Sequence, residues 1–260
     1  MESEKLSNAF LRLVNIMDEL REKCPWDRKQ TIHTLRTLSI EELYELTDAI
    51  LNEDWPGIKE ELGDLFLHLL FYARIAREQN HFKLIEVLDG ISDKLISRHP
   101  HIYGDVKVES EDDVKRNWEN LKLKEGKKSV LGGVPASLPA MVKAIRLQEK
   151  SKQVGFEWDN REQVWDKVEE EQKELAEAVR SGSQSHIEEE FGDLMFSMIN
   201  YARFLSIDAE TALERTNRKF IKRFEKMEEA VGLSGKKMND LSLAELDAIW
   251  NEVKKQKTTD

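Results

Sequence analysis

Leu6, Phe10, Leu13, Met17 and Leu20 recur at spacings of three and four, which predicts an amphipathic helix with one apolar stripe. Leu35, Leu38, Leu43, Leu46 and Ile50 repeat the pattern and predict a second helix over 35–51. From Ile58 to Ala76 the chain is apolar over most of a helical circumference, as expected of a helix buried in a bundle. Strand-like alternation is scarce, and five prolines leave long uninterrupted stretches. The expected fold class is all-α.

The chain is also written twice. At a shift of 129 positions, GIKEELGDLFLHLLFYAR (57–74) falls on HIEEEFGDLMFSMINYAR (186–203), with nine of eighteen pairs identical. At the same shift Glu41, Glu42 and Glu45 fall on Glu170, Glu171 and Glu174. At slightly different shifts Trp26-Asp27 matches Trp158-Asp159, Lys94 and Arg98 match Lys219 and Arg223, and Trp118 matches Trp250. The Gly- and Pro-bearing stretch between the copies reads as a linker. We therefore expect two homologous helical-bundle halves, 1–125 and 138–260, joined by 126–137.

Composition narrows the function. Of 260 residues 40% are hydrophobic, enough for a sizeable core, and no apolar run is long enough to span a membrane. The start, MESEKLSNAF, lacks the apolar core of a secretory signal, and the single Cys24 rules out an intrachain disulfide or a Cys-based zinc site. A cytoplasmic location is expected. A net charge of −11 disfavours broad binding to nucleic acid or to an anionic membrane, although metal ions would still let an acidic chain hold a small phosphorylated molecule.

The acids are patterned. Each half carries E-E-x-x-E and, sixteen residues after its last Glu, E-x-x-D. Residues three apart share a helical face, so Glu42 and Glu45 project together, as do Glu61 and Asp64. A short connection at Asn52–Pro56 lets the two helices fold back, and four carboxylates converge between them. Glu171, Glu174, Glu190 and Asp193 repeat the arrangement. Like charges so gathered repel unless protonated or neutralised by cations, and an oxygen-only donor set suits Mg²⁺ or Mn²⁺. Any one such pair would pass for a solvated helix face; repetition at one shift, beside Gly63 and Gly192 and large apolar neighbours, argues for a site. A di-iron bundle also gathers acids, but it uses Glu-x-x-His pairs, and the counterpart of His68 is Ser197.

The doubled motif, together with CPWD (24–27), SRHPHIYGD (97–105), VGFEWD (154–159) and NRKFIKRF (217–224), resembles the MazG family of nucleoside triphosphate pyrophosphohydrolases over nearly the whole chain. The resemblance implies an all-α bundle, usually a homodimer, that hydrolyses a nucleoside triphosphate to the monophosphate and pyrophosphate with Mg²⁺. Glu171, Glu174, Glu190 and Asp193 are then the metal ligands. Lys167, His186, Asn217, Lys219 and Arg223 would hold phosphates or sugar, with Trp250 near the base and Glu170 a candidate general base.

The halves are not equivalent. Lys167, His186 and Asn217 correspond to Leu38, Gly57 and Ser92, so the first half keeps the acids and lacks cations that a triphosphate would want. We expect catalysis mainly in the second half. Glu42, Glu45, Glu61 and Asp64, with Lys94, Arg98 and Trp118, would form a weaker or regulatory second site. The competing readings are a regulator that binds Mg-nucleotide without turnover and a structural helical scaffold. His33, His68, His81, His99 and His101 share no ligand spacing and are expected to be surface or capping residues, Cys24 a packing residue, and KKQKTTD (254–260) a frayed end.

Overall fold

A computed structural model describes residues 2–110, 113, 114, 117, 118, 121 and 129–255. Among them there is no strand, and the chain divides into two units, Met1–Glu109 and Ser110–Asp260. Of the expected linker, 126–128 lie outside the described residues, as do 256–260 of the tail. The described remainder holds a 3₁₀ turn, Leu131–Gly133, that packs on the helix following it. Trp118, expected to serve the first half, belongs to the second unit. No described helix is long and apolar enough to cross a membrane.

In the first unit, α1 (Glu2–Lys23) leads through a 3₁₀ turn to α2 (Ile32–Leu51), α3 (Trp55–Glu78), α4 (Leu84–Arg98) and the short α5 (Pro100–Tyr103). Local chemistry sets the boundaries. Thr31 starts α2 with a reciprocal cap: its side chain accepts from the Thr34 N–H at 3.2 Å, and its own N–H donates to Thr34 Oγ1 at 2.8 Å. Asp54 starts α3 by accepting from the Gly57 N–H at 3.2 Å, with Pro56 in the first turn. The hairpin of α2 and α3 is the unit's main packing, and α1 and α4 lie against α3. Met17, Leu35, Leu70, Phe71 and Ile75 form the core, flanked by Phe10, Leu13, Val14, Leu38 and Leu67.

In the second unit, α6 (Ala140–Gln153) precedes the hairpin of α7 (Arg161–Ser181) and α8 (Gln184–Phe204), followed by α9 (Ala209–Leu233) and α10 (Leu243–Lys255). Asn160 caps α7 through the Gln163 N–H at 3.0 Å, and Gly182 ends it in the left-handed region at φ 75°. Shifted by 129, that position is Glu53, also left-handed at φ 53°. The two hairpins therefore turn alike, and their cores coincide at the same shift: Leu35 with Val164, Ala49 with Ala178, Leu70 with Ile199, all buried.

The expected stripes hold only in part. Met17 is buried but Leu6 is exposed; in α2, Leu43 and Ile50 face outward. The packed face of α2 instead runs Leu35, Leu38, Glu42, Leu46, Ala49, a strict helical row in which one position is an acid. Residues 58–76 are not buried all round, since Leu62, Phe66 and Leu69 stand exposed. Gly63 and Gly192 are not close-packing glycines either, because a Cβ at each would meet nothing within 4 Å.

Leu35→Ala should destabilise the chain by about 2–5 kcal/mol in urea unfolding, whereas Leu43→Ala, eight residues along the same helix, should change it by less than about 0.5 kcal/mol. Equal effects would reject this assignment of the packed face.

Candidate metal and phosphate site

Because Glu42 occupies a place in the packed row of α2, the hairpin itself carries carboxylates into the α2–α3 interface. One oxygen each from Glu42, Glu45 and Glu61 lie within 4.8 Å of one another. In the second unit Glu171, Glu174 and Glu190 do the same between α7 and α8, with Glu171 buried. Each unit thus brings together three of the four expected acids. Asp64 is near enough to raise the pKa of both Glu42 and Glu61, whereas Asp193 is exposed and outside its group.

The two clusters resolve their repulsion differently. In the second unit Lys167 Nζ reaches Glu171 at 2.6 Å and Glu170 at 3.0 Å, and these contacts hold the ammonium well above the ordinary lysine range, Glu171 contributing most. Burial and the charges of Glu171 and Glu190 raise the Glu174 pKa, with Lys167 opposing. His186 Nδ1 lies 3.4 Å from Glu190 and 3.9 Å from Glu189. Glu170 points outward and is engaged by Lys167, a poor placement for a base acting between the helices.

In the first unit no lysine takes this part. Leu38, at the position of Lys167, packs on the core. Gly57, at the position of His186, has no side chain to offer an acid; its N–H serves the Asp54 cap, and a Cβ there would come within 2.6 Å of Asp54 Oδ2 and oblige that carboxylate to shift. Glu42 is consequently pushed up to about 7, first by burial and then by Asp64, Glu45 and Glu61. Below about pH 7 a proton on Glu42 therefore relieves the repulsion there.

The other expected contacts stand on α9 and α10. Asn217 donates to Glu214 at 3.3 Å, Lys219 is exposed, and the Nε of Arg223 is buried without a hydrogen-bond partner, so its guanidinium keeps unused donor capacity. Trp250 packs against Phe220 at 5.2 Å between ring centroids. Lys94 is exposed on α4; Arg98 ends that helix, and Ser92, at the position of Asn217, donates its hydroxyl to the Leu88 carbonyl at 2.8 Å. His99 caps α4 and His33 and His81 are exposed, as expected. His68 departs from expectation: it is buried one turn beyond Asp64, where desolvation lowers its pKa more than Asp64 raises it. Its place at i+7 from Glu61 and i+4 from Asp64 was the signal available in the sequence, set aside because the repeat does not carry it.

Scaffold contacts that no sequence pattern signals hold the hairpins in place. Arg203 grips Glu157 with two nitrogens, at 2.5 and 2.7 Å, fixing the VGFEWD loop to α8. Gln148 donates to the Phe196 carbonyl at 2.8 Å. In the first unit Arg21 binds Glu78 at 2.9 Å and the carbonyls of Asp27 and Gln30, which pins the CPWD turn.

Repeated helical hairpins, each gathering three glutamates with one oxygen apiece within 4.8 Å, define the class of this all-α protein. The MazG nucleotide pyrophosphohydrolase domain matches twice, over residues 30–103 and 160–227. A Thermotoga maritima protein named nucleoside triphosphate pyrophosphohydrolase/pyrophosphatase MazG is 45% identical over 94% of this chain and 95% of its own length. An Escherichia coli nucleoside triphosphate pyrophosphohydrolase is 39% identical over 96% and 98%. Bacillus subtilis YabN, 43% identical over 97% of this chain, matches along 53% of its length. The chain belongs to the MazG nucleotide pyrophosphohydrolase family.

The raised Glu42 pKa carries a sign. Unfolded, the group titrates near 4.5; folded, near 7, so the native state holds its proton more tightly. Metal-free stability should therefore be highest below pH 4.5 as far as this group is concerned, fall as pH rises toward 7, and level off above. In EDTA, Glu42→Gln should flatten the decline in melting temperature between pH 5 and 8. An unchanged slope would show that Glu42 is not the strained acid.

Proposed function

We propose that the chain hydrolyses nucleoside and deoxynucleoside triphosphates to the monophosphate and pyrophosphate with Mg²⁺, or Mn²⁺ in its place, chiefly in the second unit. The observation that carries this is the convergence of Glu171, Glu174 and Glu190 beside Lys167. Four partly buried charges so arranged fit a divalent ion better than they fit each other, and every acid offers a hard oxygen donor. A bound Mg²⁺ would supply neutralisation of phosphate charge and acidification of a water.

The chain's own residues supply the rest. Lys167, no longer needed by Glu171 if that carboxylate held an ion, would meet a phosphate, and Lys219 with Arg223, one turn apart on α9, would offer cations to the departing pyrophosphate. Water attacks the α-phosphorus, the bond from it to the bridging oxygen breaks, and pyrophosphate leaves with that oxygen. Asp193 joins the ligands by a side-chain rotation from its exposed position, while His186 and Asn217 hold phosphate or sugar. Trp250 presents an aromatic face to the base, which suits tolerance of several bases and a role in clearing unwanted nucleotides from the cytoplasmic pool.

The first unit, with Leu38 and Gly57 committed to packing and capping, binds a cation or Mg-nucleotide without comparable turnover. A second copy of the chain fits the exposed rows Leu62, Phe66, Leu69 and Phe191, Met195, Met198, which coincide at the 129 shift and leave an apolar stripe on each hairpin.

Glu171→Ala and Glu190→Ala should each abolish pyrophosphate release from NTPs while the helical circular dichroism stays intact. Full activity in either folded variant rejects the site, and release of orthophosphate with NDP rejects the bond assigned. Phe66→Lys with Met195→Lys should lower the mass seen by light scattering to that of one chain; an unchanged mass places the subunit contact elsewhere.

A further inference from the structure

Away from the acids, the first unit holds an open cleft of about 210 Å³ where α1, α3 and the start of α4 meet. Leu70, the first α3 residue to line it, stands nine residues beyond Glu61, about 13 Å along the helix. The walls are apolar: Val14 and Met17 from α1, Leu70 and Ala73 from α3, Leu84 and Ile85 from α4. Asp18, Arg74, Arg77 and Lys83 line the cleft as well. Three cations and one acid therefore border an apolar space in a chain whose net charge is −11.

These charges are not fully spent on one another. Asp18 is shared, meeting Arg74 at 3.1 Å and Arg77 at 2.7 Å. Arg74 also reaches Glu22 at 3.6 Å and Glu78 at 3.5 Å, and Arg21 holds Glu78 at 2.9 Å. Lys83 is exposed and makes no ion pair among the described residues. Arg21, Arg74, Arg77 and Lys83 thus face Asp18, Glu22 and Glu78, which leaves one positive charge without a counterpart. Arg77 meets Asp18 through a single nitrogen, and its half-exposed guanidinium keeps donors for a second acceptor.

The second unit shows which of these features packing requires. At the 129 shift Leu70, Ala73 and Leu84 become Ile199, Ala202 and Leu213, and Arg74 becomes Arg203. Arg77 and Lys83 become Ser206 and Ala212. An equivalent hairpin therefore folds without these two cations, and the first unit carries them beside an apolar cleft.

We propose that this cleft binds a small monocarboxylate with an apolar body, the carboxylate on Lys83 and Arg77 and the hydrocarbon among Val14, Leu70 and Ile85. Apolar walls with a few placed polar groups are the usual make-up of a small-molecule site, and one unmatched positive charge suits a single negative one. A cavity of about 150 Å³ accepts benzene, so a body of about eight carbons suits this one. The site is separate from the acid clusters and does not depend on the proposed pyrophosphate chemistry.

The test is isothermal titration calorimetry of the full chain with octanoate, using octanol and octylamine as its neutral and cationic counterparts. Octanoate should bind once per chain and at least tenfold more tightly than either. Lys83→Glu should weaken octanoate at least tenfold, and so should Arg77→Ser with Lys83→Ala, which installs the residues of the second unit. The helical circular dichroism should stay unchanged; Lys83 is exposed, so Lys83→Glu keeps the readout available if the double variant does not fold. Equal affinity for octanoate and octanol, or unchanged octanoate affinity in Lys83→Glu, overturns the inference. Absence of binding overturns it too, and binding that appears only in the Phe66→Lys, Met195→Lys chain would identify a second copy as the occupant of the cleft.

Discussion

Carboxylates set into the packing face of a helical hairpin must find positive charge, and each unit is organised around that demand. An ordinary helix places its acids toward water. Here the row Leu35, Leu38, Glu42, Leu46, Ala49 makes an acid a structural member, so folding the hairpin concentrates negative charge whether or not a cation is present. The second unit answers with Lys167 on the preceding turn of the same helix, and the first with a proton on Glu42. In each unit the counter-charge comes from a different source while the carboxylates keep the same place.

Such a site needs a frame that does not relax when the charges repel, since a hairpin free to open would separate its acids. The frame is built twice from unlike parts. Arg74 and Arg203 occupy the same place at the 129 shift, yet Arg74 answers to Asp18 on α1 at 3.1 Å and Arg203 to Glu157 in the loop before α7. Gln148 ties α6 to α8 through a backbone carbonyl, and Arg21 ties α1 to the CPWD turn. Different contacts thus fix equivalent helices, as expected when selection acts on the position of the acids and not on the identity of their supports.

How far the sequence could be read follows from this. The repeat made the helices, hairpin turns and Glu positions legible, because spacing along a helix fixes which residues share a face. What spacing does not fix is which neighbour a face meets. Leu43 and Ile50 fit the apolar period and still point outward, because the Glu42 row is the one that packs. Asp193 shares a face with Glu190 by spacing yet is exposed and stays outside the cluster, a difference that no pattern encodes. Gly57 reads as a missing cation, and only the three-dimensional cap shows that a Cβ there would have to displace the Asp54 carboxylate. His68 does not repeat, and non-repetition itself marks a point where the two copies diverge.

The pattern of agreement between the units separates two kinds of requirement. Core positions, the clustered glutamates and the exposed apolar row all coincide at one shift, so folding, charge concentration and an uncovered helix face belong to the ancestral hairpin. The differences fall on side chains around the cluster: Leu38 against Lys167, Gly57 against His186, Ser92 against Asn217, His68 against Ser197. Three of these remove from the first unit groups suited to an anionic substrate, and the fourth gives it a buried nitrogen. The acids cluster at equivalent places in both units while the side chains that differ sit on other turns or other helices, so the surroundings of a cluster can change while the hairpin keeps its carboxylates together.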